Sequence, residues 1–171
     1  VPETGKLVAS ILSENLQDSY ARINSFSADE SRPILTGVKF EIKGGKLRMV
    51  ATDGYRLQII ERGIKPTGKD TEFIVSNTKE LKQVLSALED APVEISETKD
   101  SVIFSDGKTQ VFTRKLEGNY PSYQQIFPAS NLELVIDKAK FAQVVKEVTP
   151  YVKELANMIK MEVGEKEITV T

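Results

Sequence analysis

Neither cysteine nor histidine occurs anywhere in the 171 residues. Without cysteine there are no disulfides and no thiolate zinc sites. Without histidine the commonest general base and metal ligand is missing, and with it every Ser-His or Cys-His nucleophile arrangement. Any catalysis would rest on carboxylates, lysine or tyrosine. An excess of positive charge is also lacking. Twenty-three Lys and Arg stand against 25 Asp and Glu, a net charge of −2, so nucleic acid feels no global attraction and any contact with it must come from a local face. No apolar run approaches the roughly 20 residues needed to span a bilayer, and no signal peptide is visible, so a cytoplasmic location is expected. The chain begins at Val1 rather than Met and ends on the strand-like Ile168-Thr169-Val170-Thr171 with no closing element. It therefore reads as a piece of something longer.

What is present is globular in character, with 40% hydrophobic and 28% charged residues. Leu7–Ile11 is short, apolar and compatible with a strand. Ser13 is placed to cap a helix in which Leu16, Tyr20 and Ile23 form one stripe. Arg32-Pro33 breaks the chain. Val38, Phe40 and Ile42 alternate with Lys39 and Glu41, Lys43-Gly44-Gly45-Lys46 predicts a hairpin, and Leu47, Met49 and Ala51 alternate back. Asp53-Gly54 is a corner leading into Leu57–Arg62. After a loop and the strand Phe73-Ile74-Val75, Asn77 with Glu80 reads as a capping box. Leu81, Val84, Leu85 and Leu88 give a second helical stripe. Three strands follow, Val93–Glu97, Ser101–Ser105 and Lys108–Lys115, the last two joined by the hairpin signal Asp106-Gly107. The order β-α-β-β-β-β-α-β-β-β predicts an α+β domain, a mainly antiparallel sheet with two helices on one face, over residues 1–115.

Residues 116–131 carry two prolines, two tyrosines and few charges and predict an extended connector. The pattern then restarts over residues 132–171. Leu132–Ile136 is strand-like, and Asp137 precedes a helix with Phe141, Val144, Val145 and Val148 on one stripe and Pro150 as its stop. Ile159–Val163 and Ile168–Thr171 are strands joined by a turn containing Gly164. Laid on the first part, Ile136 falls on Ile11, Phe141 on Leu16, Val145 on Tyr20 and Val148 on Ile23. With a slightly shorter offset Ile159 falls on Val38, Met161 on Phe40, Val163 on Ile42 and Ile168 on Leu47. A partial second copy of the same unit is expected, marginal by itself.

Three segments are specific enough to resemble a family. Ser31-Arg32-Pro33-Ile34-Leu35-Thr36-Gly37-Val38, Ala51-Thr52-Asp53-Gly54-Tyr55-Arg56-Leu57 and Glu117-Gly118-Asn119-Tyr120-Pro121-Ser122-Tyr123 stand in the order and spacing of the bacterial sliding clamps, the β subunits of DNA polymerase III. The resemblance covers essentially the whole chain, from the end of the family's first domain through its middle domain and connector into its third. It implies a non-enzymatic processivity factor for DNA replication, in which two three-domain chains close head to tail into a homodimeric ring around duplex DNA. No cofactor and no metal are expected.

The resemblance also implies a pocket for the short clamp-binding peptide of the replicative polymerase, the clamp loader and repair proteins. Matched position by position, this sequence supplies Leu35, Thr52, Gly54, Tyr55, Arg56 and Leu57, with Pro121 and Ile126 from the connector. The rest of that pocket belongs to the family's third domain and C-terminus. An apolar floor with a few directing polar groups suits an extended peptide. Non-specific DNA contact falls to Arg32, by its matching position, and to Lys79, Lys82, Lys138, Lys140 and Lys146 on the helices. A sliding ring needs only loose attraction to phosphates. Two other readings stand beside this one. One is a carboxylate-based metal-dependent hydrolase using Asp53. The other is a peptide-binding repeat protein without a DNA function. Taken locally, Asp53 fixes the turn.

Overall fold

The computed structural model describes residues 5–23, 31–76, 79–89, 92–127, 133–152, 159–164 and 167–170. They form two compact units, residues 1–122 and 123–171.

The first unit runs β1 (Lys6–Leu12), α1 (Ser13–Ile23), β2 (Gly37–Lys43), β3 (Lys46–Thr52), β4 (Leu57–Gly63), the two-residue β5 (Lys65–Pro66), β6 (Thr71–Ser76), α2 (Lys79–Leu85), β7 (Pro92–Glu97), β8 (Ser101–Ser105) and β9 (Gln110–Arg114). All pairings among these strands are antiparallel. The expected single sheet is divided in two, a five-stranded sheet β5-β1-β7-β8-β9 and a four-stranded sheet β4-β3-β2-β6. A single bridge, Val75 to Lys115, joins their margins. The division follows from long-range pairing, because β1 takes β7 as its neighbour rather than β2, which follows it in the chain.

The hairpins form where the glycines permit them. Gly44 and Gly45 take φ of +57° and +77° in the β2–β3 turn, a conformation that excludes most other residues. In the β8–β9 loop Asp106 Oδ1 accepts the amides of Lys108 and Thr109 at 2.9 and 2.6 Å. Those amide hydrogen bonds, with one from Glu89, hold its carboxyl at about 2, below the usual range.

One core serves both sheets and both helices. Leu16, Tyr20 and Ile23 of α1 are buried, as the stripe predicts, and so are Leu81, Leu85 and Leu88 in and after α2. Val84 is 44% exposed and faces away, since a seven-residue helix presents only a narrow apolar face. Phe40 of β2 is the centre of the packing. Its ring lies 5.3 Å from Phe73 of β6, 6.2 Å from Phe104 of β8 and 6.3 Å from Tyr20 of α1. The Tyr20 hydroxyl donates to Ser76 O at 3.1 Å, and burial raises the pKa of its phenol. Gln17 of α1 donates to Leu85 O and Leu88 O, both at 3.2 Å, closing the C-terminal end of α2. The expected cap residue Asn77 lies outside the described residues.

The second unit holds α3 (Lys138–Val152), β10 (Met161–Val163) and β11 (Ile168–Val170). Asp137 opens α3, its Oδ1 accepting the Lys140 amide at 2.8 Å. Pro150 does not stop the helix, which continues to Val152. A proline inside a helix gives up one amide bond and crowds the carbonyl four residues back, a cost that kinks or breaks it; here the helix carries it. The expected strand over 132–136 is absent from its described part, residues 133–136. A strand requires a hydrogen-bonded neighbour, and this segment has none among the described residues. The pairing in β10–β11 has the register expected from the proposed repeat. Met161–Val170, Glu162–Thr169 and Val163–Ile168 in β10–β11 reproduce Phe40–Met49, Glu41–Arg48 and Ile42–Leu47 in β2–β3.

Candidate functional site

The β3–β4 connection is a small hydrogen-bonded cage. Thr52 and Leu57 are the last rung of the pairing. The Thr52 hydroxyl donates to Arg56 O at 2.7 Å and accepts the Gly54 amide at 3.1 Å. Asp53 Oδ1 accepts the amides of Tyr55 and Arg56 at 3.0 and 2.9 Å, while Oδ2 receives Arg56 Nε at 2.7 Å. These donors, the Arg56 side chain foremost, hold the Asp53 carboxyl at about 2. Gly54 at φ +91° makes the corner possible. With its backbone polar groups turned inward, the cage leaves Tyr55 94% exposed. The Arg56 side chain, though tied to Asp53, is 65% exposed. Thr52 is buried and Leu57 half-buried.

Two other segments adjoin this cage. Pro33–Thr36 is a 3-10 turn, with the Leu35 amide donating to Arg32 O at 2.9 Å. Leu35 is buried. Arg32, assigned to DNA by its matching position, folds over the corner, such that a Cβ built on Gly54 would stand 2.7 Å from its Nη1. The connector is the third segment. The Leu116 amide donates to Ile74 O at 2.9 Å. Gly118, at φ +140°, rests on Ile34, leaving a Cβ only 3.1 Å from Ile34 Cδ1. The Tyr120 hydroxyl donates to Val50 O at 3.2 Å, two residues before Thr52. The beginning of the connector is thus a strap on the outer face of the four-stranded sheet. Sequence patterns carry no sign of the Tyr120 anchor or of the Arg32 position, since both are contacts between segments far apart in the chain.

Of the other expected peptide residues, Pro121 is exposed, one residue past the Tyr120 anchor. Ile126 belongs to the second unit and is 66% exposed there. Asp53 is committed to Arg56 and two amides, and a guanidinium beside it opposes a metal cation. No group of three or more potential metal ligands occurs among the described residues.

The helical cations are arranged unevenly. Lys79 and Lys82 are exposed on α2, and Lys138, Lys140 and Lys146 on α3. On α1, Asp18 pairs with both Arg22 and Arg62 at 2.8 Å, and its pKa is lowered, chiefly by the Arg22 hydrogen bond.

Residues 11–122 match the family model described as DNA polymerase III beta subunit, central domain. The chain belongs to the DNA polymerase III beta subunit family. Among curated relatives, the beta sliding clamp of Staphylococcus aureus strain Mu50 is 28% identical over 155 residues, 88% of this chain and 41% of that protein. The beta sliding clamp of Chlamydia muridarum is 26% identical over 162 residues, 93% of this chain and 44% of that protein. The solved sliding clamp of Pseudomonas aeruginosa superimposes with a TM-score of 0.86 at 22% identity, covering 99% of this chain and 48% of that one. A sliding clamp of Bartonella birtlesii bound to griselimycin gives a TM-score of 0.81 at 25% identity, again covering 99% and 48%. The fold is that of a sliding clamp, and the chain spans less than half the length of these relatives. The first two motif segments lie within the matched span, and so does the third up to Ser122. No described helix is long and apolar enough to cross a membrane.

Proposed function

We propose that this chain contributes the central-domain portion of a replication sliding clamp, a non-catalytic ring that encircles duplex DNA in the cytoplasm and tethers replication proteins by a short peptide. What supports this reading, beyond family membership, is the meeting of three distant motif segments around one rigid corner. Segments 31–38, 51–57 and 117–121 assemble beside the cage that exposes Tyr55 and Arg56. An aromatic face and a guanidinium fork on a fixed turn suit an extended peptide with apolar anchors. Leu35, Thr52, Gly54, Leu57 and Pro121 complete the first unit's share of the groove. The polymerase, the clamp loader and repair proteins are the proposed peptide donors, and a head-to-tail homodimer is the proposed assembly.

Griselimycin, bound by the Bartonella birtlesii clamp, is the probe. Half a pocket should bind weakly or not at all, so labelled griselimycin is titrated against a full-length clamp that carries this chain; it is expected to bind there, and Arg56→Ala or Leu57→Ala to weaken it about tenfold or more. Unchanged affinity in both variants would place the groove elsewhere.

A further inference from the structure

Lys115 to Tyr120, with Ser122, borders a cleft of about 600 Å³, with Lys39, Glu72, Phe73 and Ile74 among its walls. The strap is therefore not close-packed on the sheet along its length and depends on discrete anchors. At its start, Lys115 bridges to Val75 and the Leu116 amide donates to Ile74 O. In the middle, Gly118 adopts a φ of +140° against Ile34. At the far end stands a side-chain bond, Tyr120 hydroxyl to Val50 O at 3.2 Å. That last anchor joins the strap to β3 two residues before the Thr52–Leu57 cage begins. The next residue is Pro121, whose fixed φ passes the direction set at Tyr120 on to the chain.

We infer that Tyr120 is a positioning residue. Its phenol holds the strap so that Pro121 stays in register with the cage, and its removal weakens peptide binding without any contact between Tyr120 and the peptide. The inference rests on the peptide-groove reading above and extends it to a residue outside the groove. Backbone bonds hold the strap at Ile74, whereas near the cage the hydroxyl is the anchor that a single substitution removes. Tyr120→Phe deletes that one oxygen and keeps the ring. Gly118→Ala perturbs the same strap by backbone strain, because φ near +140° is costly for a residue with a Cβ.

Two measurements test this, the first on this chain and the second on a full-length clamp that carries it. The first is backbone NMR relaxation, which needs no ligand. Tyr120→Phe is expected to lower the order parameters of residues 118–120 and leave those of β2 and β3 unchanged. Equal order parameters in the two proteins would overturn the inference. The second is a double-mutant cycle with labelled griselimycin. Tyr120→Phe is expected to weaken binding about threefold to tenfold, the range of one hydrogen bond, while the melting temperature falls by no more than the few degrees that one lost bond accounts for. In a Pro121→Ala background the same substitution is expected to have little further effect, because it acts through Pro121. Additive losses, or a lower melting temperature with full affinity, would mean that Tyr120 is only structural. Leu57→Ala is run in parallel. If it leaves griselimycin affinity unchanged, the groove reading fails. If Leu57→Ala weakens binding and Tyr120→Phe does not, the positioning role alone fails.

Discussion

One carboxylate of Asp53 holds Arg56 by main chain and side chain together, Oδ1 on its amide at 2.9 Å and Oδ2 on its Nε at 2.7 Å. The arginine is thereby oriented before any partner arrives, and preorganised donors lose less freedom on binding. The same bonds fix the titration of Asp53. Its folded pKa, about 2, lies below the ordinary value of about 3.9. The stabilising contribution is then complete above pH about 4 and is lost as pH falls through about 2. An NMR titration of the Asp53 carboxyl carbon is expected to show a midpoint near 2. A midpoint near 4 would mean that the cage is open in solution.

Phe40 touches both sheets and α1. Phe40→Ala is expected to cost about 3–5 kcal/mol, measured by urea unfolding followed by circular dichroism. Because the ring is shared, unfolding should remain a single transition for the first unit. Separate transitions for the two sheets would show that they do not share one core.

Gln17 supplies two of the hydrogen bonds at the end of α2. Gln17→Leu keeps the bulk and removes the donor, leaving the carbonyls of Leu85 and Leu88 short of a partner. A loss of about 1–3 kcal/mol is expected, with faster amide exchange in α2. Unchanged exchange would mean that water replaces the amide at no cost.

Asp18 neutralises two arginines on the α1 side. If that helix faces DNA, Asp18→Asn releases Arg22 and Arg62 toward phosphate. Binding to a short duplex, measured by fluorescence anisotropy across a sodium chloride series, is then expected to tighten. Its salt slope should steepen by about 0.9 for each additional phosphate neutralised. An unchanged slope would place α1 away from the duplex.

Local structure was largely legible in the sequence. The stripe of Leu16, Tyr20 and Ile23, the glycine pair at 44–45 and Asp106-Gly107 each form what their neighbours dictate, because those choices depend on residues a few positions apart. The alternation of Val38, Phe40 and Ile42 named the buried face correctly. Pairing across the chain was not legible. That β1 seeks β7, and that the strands divide into two sheets, depends on how faces fit over some 80 residues of separation. Pro150 misleads because the lost amide bond and the crowded carbonyl four residues back can be absorbed as a local kink as well as end a helix. At the candidate site the residue types of the cage were plain from sequence. The Arg32 guanidinium over Gly54 and the Tyr120 anchor were not, since each joins segments brought together only by the fold.

The matching rungs of β2–β3 and β10–β11 set a limit on what repetition preserves. Between the two hairpins Phe40 becomes Met161, Met49 becomes Val170, Ile42 becomes Val163 and Leu47 becomes Ile168. None of the four shapes is retained, and a jigsaw fit does not survive such exchanges. Register is what the two hairpins share: Met161 and Val163 stand on the rungs that Phe40 and Ile42 occupy in the first unit. Burial is not shared, since Phe40 and Ile42 are buried whereas Met161 and Val163 are exposed. The same rung lattice thus carries a closed core in one hairpin and an apolar face open among the described residues in the other.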